Sequence, residues 1–261
     1  MSSAAWAQSF QDFQHRPSAA QAERAAARAT AAAPNAPFAS AGATIYVCDI
    51  NDNLWTVTLG TYKLHYVGNL GVWLTDIAFN PKDGKLWGVS FTTFYTVDTS
   101  TGRAKPFGST ALSDINALVF DKNGVGYFEG FASNELYAAV LDVAKPYYVG
   151  IGATGKYESA GDLTWYNGAL VLSGTVGGST KETLVQLNAT NGHVVATAAT
   201  DLQLLYGLST VGGNALYGFA NTSLYRIYPA EKNVAKRTVL IKNFASEGLG
   251  EAAGAAYKGD T

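Results

Sequence analysis

Charge is what this chain has least of. Only 15% of its 261 residues are Asp, Glu, Lys or Arg, against about 25% in an ordinary soluble protein. The formal net charge is −2. That leaves no excess of cations for a phosphate backbone and argues against a nucleic-acid-binding surface. Cysteine is nearly missing: Cys48 stands alone, so no internal disulfide can form and zinc sites built on cysteine pairs are excluded. A lone thiol of this kind is expected to be a small buried hydrophobe. The histidines are His15, His65 and His193, and none has a His, Cys or Glu at ligand spacing. No histidine metal site and no cofactor are therefore expected. No apolar run approaches the roughly 18 residues that a membrane-spanning helix needs, and the N-terminal stretch lacks the apolar core of a secretory signal.

Other features are abundant. Hydrophobic residues make up 48% of the chain, aromatics 12%, and there are 28 glycines. This composition excludes a disordered chain, which is charge-rich and aromatic-poor, and a coiled coil. Two regions differ in character. Residues 1–43 read as a helical arm and Ala/Pro linker. Trp6, Phe10 and Phe13 share one face of a short helix. Pro17 interrupts it, and Ser18-Ala19-Ala20-Gln21 is a capping-box pattern for a second, alanine-rich helix that Pro34 and Pro37 end. The Ala, Ser and Arg content resembles that of an organelle transit peptide, but Asp12 and Glu23 oppose that reading, and the segment is expected to be retained. An aromatic stripe on so short a helix needs a partner surface. Trp6, Phe10 and Phe13 are thus candidate docking residues, with a partly ordered tail as the bland alternative.

From Thr44 onward, β-branched and aromatic runs alternate with Gly, Asn and Asp turns, and three landmarks recur. The first is Leu54-Trp55-Thr56-Val57, Phe94-Tyr95-Thr96-Val97, Leu136-Tyr137-Ala138-Ala139, Leu184-Val185-Gln186-Leu187 and Leu224-Tyr225-Arg226-Ile227. The second begins at Asp76, Ala117, Asp162, Gly207 and Gly254. The third begins at Leu86, Gly126, Leu170 and Leu216, and its fifth copy, Ile45-Tyr46-Val47-Cys48, lies at the other end of the sequence. The period, about 40 to 48 residues, is that of four-stranded propeller blades. Hairpin signals such as Lys82-Asp83-Gly84, Lys122-Asn123-Gly124 and Tyr166-Asn167-Gly168 separate the second and third landmarks.

On these landmarks the chain resembles β-propeller repeats of the YVTN, NHL and quinoprotein-like kind, at the level of spacing and strand pattern. The resemblance implies an all-β fold over residues 44–261: a five-bladed β-propeller. Its last inner strand, near Glu251 to Tyr257, completes a blade whose other strands come from Thr44 to Gly68. Mixing the termini in one blade removes the free edges of an open sheet.

Several chemical motifs fail on context. Gly150 to Gly155 spells GxGxxG and Lys156 follows, but phosphate cradling needs a helix start directly after the glycines. Here Tyr157 to Gly161 leads into an inner strand, so an inter-blade loop is expected. Asp49, Asn51 and Asn53 begin like a calcium loop, yet Leu54 and Gly60 occupy the positions of its glycine and glutamate; a turn is expected. No Gly-x-Ser-x-Gly elbow occurs. The sequons at Asn188 and Asn221 matter only in a secretory pathway.

One constellation survives. The loops entering the inner strands should gather at one mouth of the central channel, carrying Trp73, Thr75, Asp76, Asp114, Asn116, Tyr157, Glu158, Asp162, Asp201, Gln203, Tyr206, Asn243, Phe244, Glu247 and Glu251. Loops between second and third strands add Asp49 to Asn53, Phe91, Phe131, Asn134 and Glu182. Trp73, Asp76, Asp114, Asn116, Tyr157, Asp162, Tyr206 and Glu247 are the candidate binding residues. Acids interleaved with aromatics suit a sugar or a basic peptide; the structural alternative is that Asp and Asn here cap turns. The expected function is a non-catalytic binding or assembly module, with a protein partner or larger assembly (a cell surface or a virion) reached through the arm and a glycan on the loop face. An extracellular or virion setting is favoured over cytoplasm. The alternative is a propeller hydrolase, glycoside hydrolase-like or lactonase-like, with Asp76, Asp162 and Glu251 as its carboxylates.

Overall fold

The computed structural model describes residues 42–141, 147–177 and 179–259. The N-terminal arm, with Trp6, Phe10 and Phe13, lies outside the described residues. The rest is a five-bladed β-propeller, its five four-stranded antiparallel sheets each running from channel to rim. Blade 1 pairs β20 (Ala252–Tyr257), β1 (Thr44–Asp49), β2 (Asn53–Thr58) and β3 (Lys63–Asn69) in that order. Blade 2 holds β4 (Asp76–Phe79), β5 (Leu86–Val89), β6 (Thr93–Val97) and β7 (Ala104–Ser109). Blade 3 holds β8 (Ile115–Phe120), β9 (Val125–Gly130), β10 (Glu135–Val140) and β11 (Tyr147–Ala153). Blade 4 holds β12 (Tyr157–Tyr166), β13 (Ala169–Val176), β14 (Thr183–Leu187) and β15 (Val194–Ala199). Blade 5 holds β16 (Leu205–Val211), β17 (Ala215–Ala220), β18 (Ser223–Ile227) and β19 (Thr238–Asn243). A one-turn helix, α1 (Val234–Arg237), precedes β19, and its Arg237 donates to the Ala199 carbonyl of blade 4.

The landmarks map onto this order without exception. The second landmark supplies the inner strands, the third the strands beside them, and the first the strands after those. Burial follows the same gradient. Every residue of β4, β8 and β17 is buried, whereas β15 on the rim is almost wholly exposed. The inner strands touch in sequence around the ring, β20 to β4, β8, β12, β16 and back to β20. There is no single central core. Instead one apolar cluster fills each junction between neighbouring blades. Between blades 2 and 3, Phe94 meets Phe128 edge to face at 5.4 Å, and burying side chains of this size contributes about 1.5–3 kcal/mol each.

Two devices join the blades at the rim. The DTSTG turn of blade 2 (98–102) is closed by Asp98, whose Oδ1 accepts from the Ser100 amide at 2.8 Å. That turn sits on the outer strand of blade 1, where a side chain at Gly68 would stand 2.0 Å from the Thr101 carbonyl oxygen. Blade 4 repeats the device: Asn188 closes the NATNG turn, and a side chain at Gly152 of blade 3 would stand 2.1 Å from the Asn191 carbonyl oxygen.

The expectation of a loop over 157–161 is corrected in detail. β12 starts at Tyr157, and its pairing with β13 shifts register between Ser159 and Asp162. Ala160 and Gly161 are the surplus residues of a bulge, which bends the strand so that Ser159 and Asp162 are both buried. The first glycines of the GxGxxG stretch likewise lie on β11 rather than in a loop.

Closure depends on β20, whose residues pair with β1 from Ile45↔Tyr257 to Asp49↔Ala252. Gly254 lies against blade 2, and a methyl group there would stand 2.3 Å from Asp76 Oδ1 and 2.6 Å from the Asp76 Cα. Backbone cannot yield as a side-chain tip can. Gly254→Ala is expected to cost about 3 kcal/mol, a fall of roughly 6–12 °C in Tm by calorimetry. An unchanged Tm would remove the tight junction.

Candidate functional site

The mouth of the channel is a cavity of about 560 Å³ to which all five blades contribute, inside the usual range of about 300–1,000 Å³ for ligand pockets. One side is apolar. Trp73, before β4, packs edge to face on Phe91 of the β5–β6 loop at 5.3 Å, and Phe91 packs in the same way on Phe131 of the β9–β10 loop at 5.6 Å. Trp73 is 45% and Phe131 46% exposed, so the arc is largely uncovered. Loop chemistry holds it in place. The Ile115 amide donates to the Phe91 carbonyl at 3.1 Å, the Phe131 amide to the Asp114 carbonyl at 3.0 Å, and the Ala132 amide to Asp114 Oδ2 at 3.0 Å.

The other side is polar and acidic. Glu158, Glu182 and Glu251 line it with Gln203 and Tyr206. Among the described residues lining the cavity there is no Lys, Arg or His. Nearby Lys181 is engaged with Asp201 at 2.8 Å. Glu182 Oε1 accepts from the Leu204 amide at 3.0 Å. Burial pushes the Glu182 carboxyl above its ordinary range, against the pull of that amide. Tyr206 is also pushed up, first by burial and then by the charges of Glu182 and Glu251.

Three buried polar atoms of cavity-lining residues have no hydrogen-bond partner: Asn116 Oδ1, Ser159 Oγ and Glu182 Oε2. Their residues are 8%, 3% and 4% exposed. The Asn116 orientation is set, because its Nδ2 donates to the Ser159 carbonyl at 3.1 Å. Orphaned buried acceptors cost about 1–3 kcal/mol each, and any donor brought against them would offset that cost.

The candidate binding residues divide accordingly. Trp73, Asn116 and Tyr206 line the cavity. Asp114 is buried behind the rim as a loop cap. Tyr157 packs in the junction of blades 3 and 4. Glu247 lies in a short 3₁₀ turn (Ala245–Glu247), paired with Lys242 at 2.7 Å. Asp49, at the start of the calcium-like stretch, is a turn cap: its Oδ1 accepts from the Asn51 and Asn53 amides at 2.9 and 3.1 Å, and its Oδ2 from the Trp55 indole and the Gly250 amide at 2.8 and 3.0 Å. No group of three His, Cys, Asp or Glu able to hold a metal occurs among the described residues.

Asp76 and Asp162 sit below the mouth, both fully buried. Asp76 accepts from the Ile77 and Leu118 amides, each at 2.6 Å. Asp162 Oδ2 accepts from the Leu208 amide at 2.6 Å and the Ala255 amide at 3.1 Å. Burial, then the Asp162 charge, raises Asp76 well above its ordinary 3.8, against the Leu118 and Ile77 amides. Buried Cys48 lies in the same field: burial first, then Asp76, Asp162 and Asp49, pushes its thiol up. Farther down, only a small cavity of about 10 Å³ remains, lined by Ile77, Phe79, Leu118, Leu163 and Tyr257 among others.

Glu129 is a second buried acid. The Thr154 hydroxyl lies 2.8 Å from Glu129 Oε1 and 3.0 Å from the Tyr157 carbonyl oxygen. The Thr154 hydroxyl donates to this buried carboxyl. Burial raises the Glu129 pKa to about 8, Thr154 opposing and Asp114 adding to the rise.

Ser159 was missed by sequence reasoning, because the bulge that turns it inward leaves no mark beyond the small pair Ala160-Gly161.

No family model matches this chain. No curated protein matches it either. Solved structures do. A chain of the Nidogen/Laminin complex is 14% identical with a TM-score of 0.53, covering 84% of this chain and 82% of its own. A chain from a study of the de novo evolutionary emergence of a symmetrical protein is 18% identical, TM-score 0.49, covering 81% and 93%. Hydrazine synthase of Kuenenia stuttgartiensis is 14% identical, TM-score 0.44, covering 81% and 68%. At these identities the likeness is one of fold.

The raised acids have a consequence for stability. A carboxyl whose folded pKa exceeds its unfolded one stabilises the fold below the unfolded pKa, and the gain is lost as pH rises through the folded value. For Glu129 that window runs from about 4.5 to about 8. Tm is expected to fall from pH 5 to pH 8. Glu129→Gln, which keeps an oxygen for Thr154 and cannot ionise, is expected to flatten part of the fall, on the order of 3 kcal/mol. Parallel Tm–pH curves for the two proteins would contradict a buried acid at this position.

Proposed function

We propose that this chain is a non-catalytic binding module: a rigid ring that presents the channel mouth to a protein or glycan partner, while the N-terminal arm, with Trp6, Phe10 and Phe13, tethers the ring to a larger assembly. One observation carries the reading. The mouth joins an uncovered aromatic arc to three buried polar atoms without partners, a combination suited to a ligand with an apolar face and hydrogen-bond donors. The fold is shared with a chain of the Nidogen/Laminin complex, which is in keeping with a propeller that binds another protein. Function on such a scaffold resides in its loops.

Hydrolysis by Asp76, Asp162 and Glu251 needs at least two of these acids against the substrate. Only Glu251 lines the cavity; Asp76 and Asp162 are fully buried with backbone amides on their oxygens. This arrangement supports binding over catalysis.

The reading is tested on a glycan array and a peptide library, with wild type and a Trp73→Ala, Phe131→Ala double variant. The wild type is expected to retain a discrete subset of probes. The variant is expected to lose them at least tenfold with little change in Tm, because both side chains are half exposed. Equal retention by both proteins, or cleavage of a bound glycan that Glu251→Gln abolishes, would overturn it.

A further inference from the structure

We infer that the group seated in the mouth is a cation on an apolar stem, the arginine or lysine side chain of a basic peptide. The inference rests on the reading of the mouth as a binding site and names its ligand chemistry. Three features converge. The first is charge: Glu158, Glu182 and Glu251 line the cavity, and no basic residue among the described lining balances them. The second is the sign of the missing hydrogen bonds. Asn116 Oδ1 and ionised Glu182 Oε2 can only accept, and Ser159 Oγ can do either. An ammonium brings three donors and a guanidinium five, with no acceptor to clash. The third is the wall opposite. The Trp73, Phe91 and Phe131 rings form an arc on which no described Lys or Arg lies. Aromatic faces attract a cation by about 0.5–2 kcal/mol, more as water is excluded, and they cover the methylene stem.

A neutral sugar would use the same arc and donors, but nothing in it answers three carboxylates. Glu182 is the discriminating residue, since it is 4% exposed and keeps one oxygen on the Leu204 amide. A lone buried carboxylate is costly, and an incoming cation pairs it. Glu182→Gln retains an oxygen for Leu204 and removes the charge, so the fold should stand.

The test is calorimetric titration at low salt with four probes: acetyl-Gly-Arg-Gly-amide, its lysine counterpart, its citrulline counterpart and methyl glucoside. Citrulline keeps the shape and most of the donors of arginine but not the charge. The arginine or the lysine peptide is expected to saturate, with citrulline and the glucoside at least tenfold weaker. Glu182→Gln is expected to lower affinity for the cationic peptide at least tenfold at unchanged Tm, and Glu251→Gln to lower it less. Citrulline or glucoside binding as tightly as the cationic peptides, lost in Trp73→Ala, would overturn the cation and leave the mouth as a binding site. No binding of either cationic peptide would also overturn it; probes on the array that depend on Trp73 and Phe131 would then still uphold the mouth. Full affinity in Glu182→Gln would overturn the assignment as well.

Discussion

The ring is held at its axis by two buried carboxyls that take backbone amides from neighbouring blades. Asp76 on β4 takes the Leu118 amide of β8, and Asp162 on β12 takes the amides of Leu208 on β16 and Ala255 on β20. Between them these two side chains engage the inner strand of every blade, β4 with β8 and β12 with β16 and β20. Inner strands in a propeller belong to separate sheets, so their channel-facing amides have no ladder partner. Water would satisfy them in a wide channel. Here the lower channel is narrow and lined by Ile77, Phe79, Leu118 and Leu163, and carboxylate oxygens take that role. Burial, and then the neighbouring Asp162 charge, raise Asp76 against the pull of those amides.

This arrangement divides the channel by chemistry. Below, acids accept from backbone amides. Above, Glu182, Asn116 and Ser159 keep acceptor capacity that the protein does not use. A carboxyl group therefore has two roles at two levels of the channel: Asp76 takes an amide from the next blade, whereas Glu182 lines the cavity with one oxygen unpartnered. The one-sided placement of the aromatic arc on blades 2 and 3, against acids from blades 1 and 4, also breaks the fivefold likeness of the blades.

Much of this was legible in the sequence. Strand landmarks such as Leu54-Trp55-Thr56-Val57 and Leu86-Trp87-Gly88-Val89 mark their positions in a blade, because periodic burial imposes periodic composition. The displaced copy at Ile45 to Cys48 revealed closure through β20. The mouth was legible as a set of loops, and Trp73, Asn116 and Tyr206 do line it. The direction of individual acids was not. Asp76 and Asp162 look like Asx turn residues at a strand start, and local spacing cannot show that each reaches an amide 42 or 46 residues away. The bulge at Ala160-Gly161 escaped for a similar reason: it changes which face Ser159 presents without changing the blade period.

The closing strand carries a kinetic and topological cost. β20 pairs with β1 across about two hundred residues of chain, as the 206-residue separation of Cys48 and Gly254 illustrates. Pairings this distant form late, since loop closure must precede their reward. Until β20 arrives, blade 1 is a three-stranded sheet whose β1 edge is open, and the Asp162 oxygen awaits the Ala255 amide. An open edge accepts a matching strand from any chain. A neighbouring molecule at the same stage offers an identical β20, so reciprocal exchange yields two complete rings with crossed ends. Strand swapping is thus the misassembly to which this architecture is most disposed, and crowding during synthesis is what would promote it.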